Sequence, residues 1–140
     1  MNDPPPKVLL TGATGFVGGR LLRELSSRGI RVRCLVRSAR RFSIQAFCPM
    51  EPHVIEGDLL KPDTLRQAME GIDTAYYLVH SMGGRSMFQY KAYLEKDIQA
   101  ARNFTKSAEE SGISRIIYLG GLGEMADNLS EHLRSRQMVA

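Results

Sequence analysis

Residues 7–20 read KVLLTGATGFVGGR. An unbroken apolar run meets three glycines spaced three apart, Gly12, Gly15 and Gly18. The run KVLLT has the pattern of a short strand covered on both faces. From Phe16 the period changes, and Val17, Leu21, Leu22 and Leu25 mark one helical face. The stretch therefore predicts a strand ending at Thr11, a tight turn, and a helix opening near Gly15. The unpaired N–H groups and the dipole of such a helix favour a phosphate. Gly12 permits the turn. Gly15 lets backbone approach a pyrophosphate with no Cβ in the way, and Gly18 lets the helix pack close on the sheet. The competing interpretation is a strand–turn–helix that holds nothing. Glycines that follow a strand and open a helix favour the ligand.

The same alternation continues outward. Gly29 supplies a helix stop. IRVRCLVR alternates, with Val32, Cys34 and Val36 on one side, and predicts a second strand. SARRFSIQAF predicts a short helix ended by Pro49, and HVIEGD a third strand. KPDTLRQAMEGI places Pro62 near a helix start, Leu65 and Met69 on one face, and Gly71 as the stop. TAYYLV predicts a fourth strand. Residues 87–111 carry the longest helical pattern, with Leu94, Ile98, Ala101, Thr105 and Ala108 on one face and Gly112 at the end. RIIYL predicts a fifth strand, and LSEHLRSRQMVA the beginning of a further helix. Strands alternating with helices predict an α/β fold: a doubly wound parallel sheet, helices on both faces, strand order 3-2-1-4-5. The ligand crevice is then expected at the carboxyl ends of the first and fourth strands. A domain of this kind usually adds a strand beside the fifth. Residues 1–140 are therefore expected to be one domain, truncated after the fifth strand and the N-terminal part of a longer protein.

Composition narrows the class. The chain has 140 residues, 43% of them apolar, enough for a core. No apolar run reaches the roughly 18 residues of a membrane span. The opening MNDPPPK lacks the basic region and apolar stretch of a secretory signal. Cys34 and Cys48 are far apart, with no CxxC and no Cys/His cluster, so neither a disulfide scaffold nor a metal site is expected. A reducing, cytoplasmic location fits. The formal net charge is +4, and Arg28, Arg31, Arg33, Arg37, Arg40 and Arg41 fall in one short segment. That cluster suits nucleic acid, an acidic surface, a phosphorylated small molecule, or plain solvation.

TGATGFVGGRL, with its GxxGxxG spacing, resembles the short-chain dehydrogenase/reductase superfamily. It is most similar to the extended and atypical branches, which include NAD-dependent sugar-nucleotide epimerases and NmrA-like NAD(P)-binding proteins. EGDLLKPDTLRQAMEGID resembles the stretch whose aspartate contacts adenine, here Asp58. ARNFTKSAEESGISRIIYLGGLG resembles the fourth helix and fifth strand, with Asn103 where the family often has Asn. The resemblance runs from about Lys7 to Gln137. It implies a Rossmann domain that binds NAD(P) through Gly12, Thr14, Gly15, Phe16, Val17, Gly18, Arg37, Asp58, Leu59, His80 and Ser81.

The choice of dinucleotide turns on the end of the second strand. A free ribose 2′-OH is usually held there by Asp or Glu, which would repel a 2′-phosphate. Here the strand runs into Arg37, Ser38, Arg40 and Arg41, with no acid beside them. A guanidinium pairs with phosphate in a two-pronged, charge-assisted way. NADP(H) is therefore expected, with NAD(H) the alternative. Nucleic acid is not expected, because no aromatic stacking platform is interleaved with the arginines. Cys34 is expected to be a small core residue.

Catalytic residues are harder to find. His80 and Ser81, after the fourth strand, should border the nicotinamide side of the crevice. His80 is a candidate proton donor or, alternatively, a structural hydrogen-bonding residue at a strand end. The family sets a Ser or Thr after the fifth strand and a Tyr and Lys four apart on the next helix. Here Gly120, Gly121 and Gly123 follow the strand, and HLRSR offers His132 and Arg136 at the matching interval. His132 as acid and Arg136 as phosphate or ribose holder are the catalytic candidates. Ordinary surface residues, with Ser130 as a helix cap, are the alternative. Tyr90 and Tyr93 are expected to pack, and Glu109 and Glu110 to be solvated.

Two functions follow. One is an NADP(H)-dependent atypical short-chain oxidoreductase or epimerase-like enzyme. The other is a non-catalytic dinucleotide sensor of the NmrA-like type. The partners expected are the dinucleotide and a small-molecule substrate, with no nucleic acid or membrane. The edge of the fifth strand leaves homo-oligomerisation open.

Overall fold

The computed structural model describes residues 5–42, 48–80, 86–121 and 130–140. The first apolar run forms β1 (Val8–Thr11), and the glycine turn leads into α1 (Phe16–Ser27). Then come β2 (Val32–Val36), a 3₁₀ turn at Ala39–Arg41, β3 (His53–Glu56) and α2 (Asp63–Met69). β4 (Thr74–Tyr77), α3 (Met87–Glu110), β5 (Arg115–Tyr118) and α4 (Glu131–Val139) complete the order. The strands form one parallel sheet, β3-β2-β1-β4-β5, the doubly wound order expected.

Alternation along the strands splits the core in two. Leu9, Leu35, Ala75 and Tyr77 point to one face, where Leu65, Met69, Phe104 and Ala108 from α2 and α3 cover them. Leu10, Val32, Cys34 and Val36 point to the other, against Leu22 and Leu25 of α1. Gly29, Gly71 and Gly112 each take a positive φ of 71–72°. At Gly29 the Ile30 amide donates to Leu25 O and the Gly29 amide to Ser26 O, closing α1 on its own last carbonyls.

Four expectations change. Val17 is 46% exposed, whereas its neighbour Gly18 is the residue that packs against the Gly12 turn. On α3, Thr105 is exposed and Phe104 fills the core in its place. The buried face runs through Asp97, Ala100, Phe104, Ser107 and Ala108, two of them polar, so an apolar count drew it slightly rotated. Tyr93 is also exposed on that helix. The helix expected over residues 38–47 is a 3₁₀ turn at Ala39–Arg41, and residues 43–47 lie outside the described residues.

Arg33 sits within β2 and is almost fully buried. Its Nη1 donates to Ala68 O at 2.9 Å and Glu70 O at 2.7 Å, satisfying the last carbonyls of α2. Burial lowers its pKa, and nearby Glu70 opposes that shift. The arginine cluster is therefore not one surface: Arg33 joins a helix to the sheet, while Arg37, Arg40 and Arg41 are exposed.

Candidate functional site

All five strands point the same way, so Thr11, Val36, Glu56, Tyr77 and Tyr118 end on one rim. At its centre Thr11 ties the strands on which the sheet order reverses. Its Oγ1 donates to Tyr76 O at 3.0 Å and accepts from the Leu78 amide at 3.3 Å. Gly12 follows with φ +75°, and a Cβ there would come within 2.9 Å of Leu78 O. A Cβ on Gly18 would collide with the Gly12 carbonyl oxygen. The Gly15 amide donates to Gly12 O at 3.0 Å, and a Cβ on Gly15 would press on that oxygen from 3.3 Å.

Gly15 is also the N-cap of α1. It contributes no side-chain cap, and the first turn contains no acid. The first-turn amides have no intrahelical acceptor, and the helix dipole is uncancelled there. Thr14, Gly15, Phe16 and Val17 are exposed around this end. Arg20 stacks over the Phe16 ring, 4.2 Å from its centroid. The loop therefore fits a phosphate group, by shape and by charge.

Beside it, at the end of β2, Arg37 is exposed and the Ala39–Arg41 turn follows. A cleft of about 390 Å³ lies between this turn and the glycine loop, with Thr14, Gly15, Phe16, Arg20, Arg41 and Phe42 on its walls. One expectation fails here. No acid follows β2 in sequence, yet the fold delivers one from β3: Glu56 Oε1 accepts from the Ala39 amide at 2.6 Å. Asp58, on the loop after β3, accepts from the Leu60 amide at 2.9 Å. Leu59 O accepts from Asn103 Nδ2 at 2.8 Å, and Asn103 Oδ1 accepts from Gln99 Nε2 at 2.8 Å. α3 thus braces the loop that carries Asp58 and Leu59.

The other half of the rim joins two residues singled out separately. Arg136 Nη2 lies 3.0 Å from His80 Nδ1 and 3.2 Å from Nε2. Arg136 Nη1 donates to Leu119 O at 3.1 Å and Gly120 O at 3.2 Å. A neutral imidazole accepts from the guanidinium; an imidazolium would repel it. Tyr118 Oη donates to Arg136 O at 2.9 Å, so α4 is held to the ends of β4 and β5. Burial raises the Tyr118 pKa, Arg136 opposes this, and Asp97 adds to it. A Cβ on Gly121 would meet the Leu133 side-chain end at 2.6 Å, so α4 packs close to the backbone after β5. Ser130 caps that helix, accepting from the Leu133 amide at 3.3 Å. His132 lies on α4, but its side chain, like Ser81, lies outside the described residues.

Sequence reasoning missed Glu56, Arg33 and Tyr118. The first two act across strands, and only the register of β2 on β3 reveals Glu56. Tyr118 was legible only as the aromatic residue within RIIYL.

A family model described as NAD(P)H-binding matches residues 12–138. The chain belongs to that NAD(P)H-binding family. It resembles relatives and solved structures that include steroid dehydrogenases, reductases and sugar-nucleotide epimerases. It is 28% identical over 120 residues to the 3 beta-hydroxysteroid dehydrogenase/Delta 5→4-isomerase of Mycobacterium tuberculosis, a match covering 80% of this chain and 30% of that one. Two solved structures share the fold. UDP-glucose-4-epimerase from Stenotrophomonas maltophila with bound NAD superposes with a TM-score of 0.80 at 15% identity, covering 96% of this chain and 46% of that one. The Citrobacter sp. triphenylmethane reductase complexed with NADP(H) gives 0.67 at 21%, covering 95% and 43%. The chain spans about a third of the length of the curated relatives it matches. Among the described residues no cluster suits a metal ion, and no helix is long and apolar enough to cross a membrane.

Proposed function

We propose that this NAD(P)H-binding domain serves an NADP(H)-dependent oxidoreductase or epimerase-like enzyme acting on a small molecule. The observation that carries the reading is the basic turn after β2. Arg37 is exposed where the adenosine ribose belongs, and Arg41 lines the cleft that faces the glycine loop. When bound, the dinucleotide supplies or accepts the hydride. The chain holds and orients it. Gly12, Thr14, Gly15, Phe16, Val17 and Gly18 would hold the pyrophosphate, Asp58 and Leu59 the adenine, and His80, with Ser81 outside the described residues, the nicotinamide ribose. Arg136 fixes His80 and the end of β5 in position, and His132 is the candidate acid. The thiols of Cys34 and Cys48 are free, in keeping with a cytoplasmic site of action.

A second reading, a dinucleotide sensor without chemistry, is favoured by one observation. The Arg136 guanidinium is committed to two backbone carbonyls and His80, a structural task in place of a catalytic one. Steady-state NADPH oxidation across a panel of carbonyl and quinone substrates separates the two. Turnover that falls at least about tenfold in Arg136→Ala supports the enzyme, that being the loss expected when a charge-assisted contact is removed. Tight NADPH binding with no turnover on any substrate supports the sensor.

A further inference from the structure

We propose that Glu56 sets how strongly the site discriminates between NADPH and NADH. The inference rests on the reading of residues 37–41 as the turn that meets the adenosine ribose. In that turn the fingerprint of NAD-binding domains places an acid at the end of the second strand. This chain has Arg37 there, and the linear sequence supplies no acid.

The sheet supplies one from the neighbouring strand. β3 pairs with β2 in parallel with Glu56 opposite Val36, and the Gly57 amide donates to Val36 O at 2.9 Å. Both strands therefore end at the same level of the rim. From there the Glu56 side chain reaches over the end of β2 and accepts from the Ala39 amide at 2.6 Å. The carboxylate thus stands two residues beyond Arg37, within the basic turn itself. Ser38, the N-cap of the 3₁₀ turn, makes no side-chain cap bond, so the carboxylate takes over that task from another strand.

The consequence is a contest of charges. Arg37, Arg40 and Arg41 attract a 2′-phosphate; Glu56 repels it and offers an acceptor to a 2′-hydroxyl. It also occupies an amide that a phosphate oxygen would otherwise use. Glu56 therefore holds the preference for NADPH below what the arginines alone would produce.

The test is Glu56→Gln, which keeps an acceptor for the Ala39 amide and removes the charge. NADPH and NADH are titrated calorimetrically into wild type and variant at low and high salt. Removing one unit charge close to a phosphate at a partly solvated rim should raise the NADPH-to-NADH affinity ratio about tenfold, less at high salt. An unchanged ratio, with both affinities kept or both weakened by one factor, would overturn the proposal and leave Glu56 as a turn clamp. If wild type prefers NADH but the variant still shifts toward NADPH, the proposal stands and the NADP(H) reading falls. If neither protein binds either dinucleotide, both are overturned.

Discussion

Gly18 is the residue on which the glycine loop closes. The helix it belongs to lies so near the Gly12 carbonyl that a single methyl group has nowhere to go, and its neighbours there are backbone, which cannot swing aside. Gly18→Ala should destabilise the fold by about 1–3 kcal/mol, as overpacked sites do. It should also weaken dinucleotide binding, because the loop must open to relieve the clash. Thermal melts and titration of the same sample check both; unchanged binding would remove Gly18 from the cradle. At this scale the loop was legible, because glycine spacing is a local signal tied to backbone geometry. Glu56 was not. Its partner, Ala39, lies across a strand boundary, and no periodicity within HVIEGD shows that a carboxylate at its end will cap a turn after another strand. Arg33 was hidden for the same reason: its acceptors belong to the end of α2.

The strands carry groups that ionise only at a cost. Burial pushes the Cys34 thiol on β2 up to about 12, with Cys48 adding to the shift. Burial also raises Tyr77 on β4, where Asp97 and Tyr118 act in the same direction, and Tyr118 on β5. Each stays neutral in the fold at a pH where the unfolded chain has already lost its proton. The stability this represents is complete below the unfolded pKa, about 9 for the thiol, and is lost as pH rises toward the folded value. Melting temperature should therefore hold up to about pH 9 and fall steadily above it, and Cys34→Ala should flatten the first part of that fall. A melting curve of equal slope in wild type and variant would contradict the burial account. Most elements were readable because Gly29, Gly71 and Gly112 stop their helices at positive φ, a region glycine enters most readily. The face of α3 was drawn slightly off because it buries Asp97 and Ser107, which a hydrophobic pattern passes over.

Across the whole molecule, parallel strands bring the described candidate residues to one rim. The glycine loop stands at the centre, the basic turn and Glu56 on the β2–β3 side, His80 and Arg136 on the β4–β5 side. Strand order and rim were legible from alternation and right-handed crossovers. The meeting of His80 with Arg136 was not, since it joins groups 56 residues apart through a helix whose docking only the fold decides. In the proposed function this rim would hold a dinucleotide with its 2′-phosphate against Arg37. The direct measurement is calorimetric titration of wild type and Arg37→Ala with NADPH and with NADH at one fixed salt concentration. Wild type should bind NADPH more tightly than NADH, and the variant should lose about tenfold in NADPH affinity with NADH nearly unchanged, the scale of a charge-assisted contact. Equal affinities in wild type, left unaltered by Arg37→Ala, would contradict the proposed function.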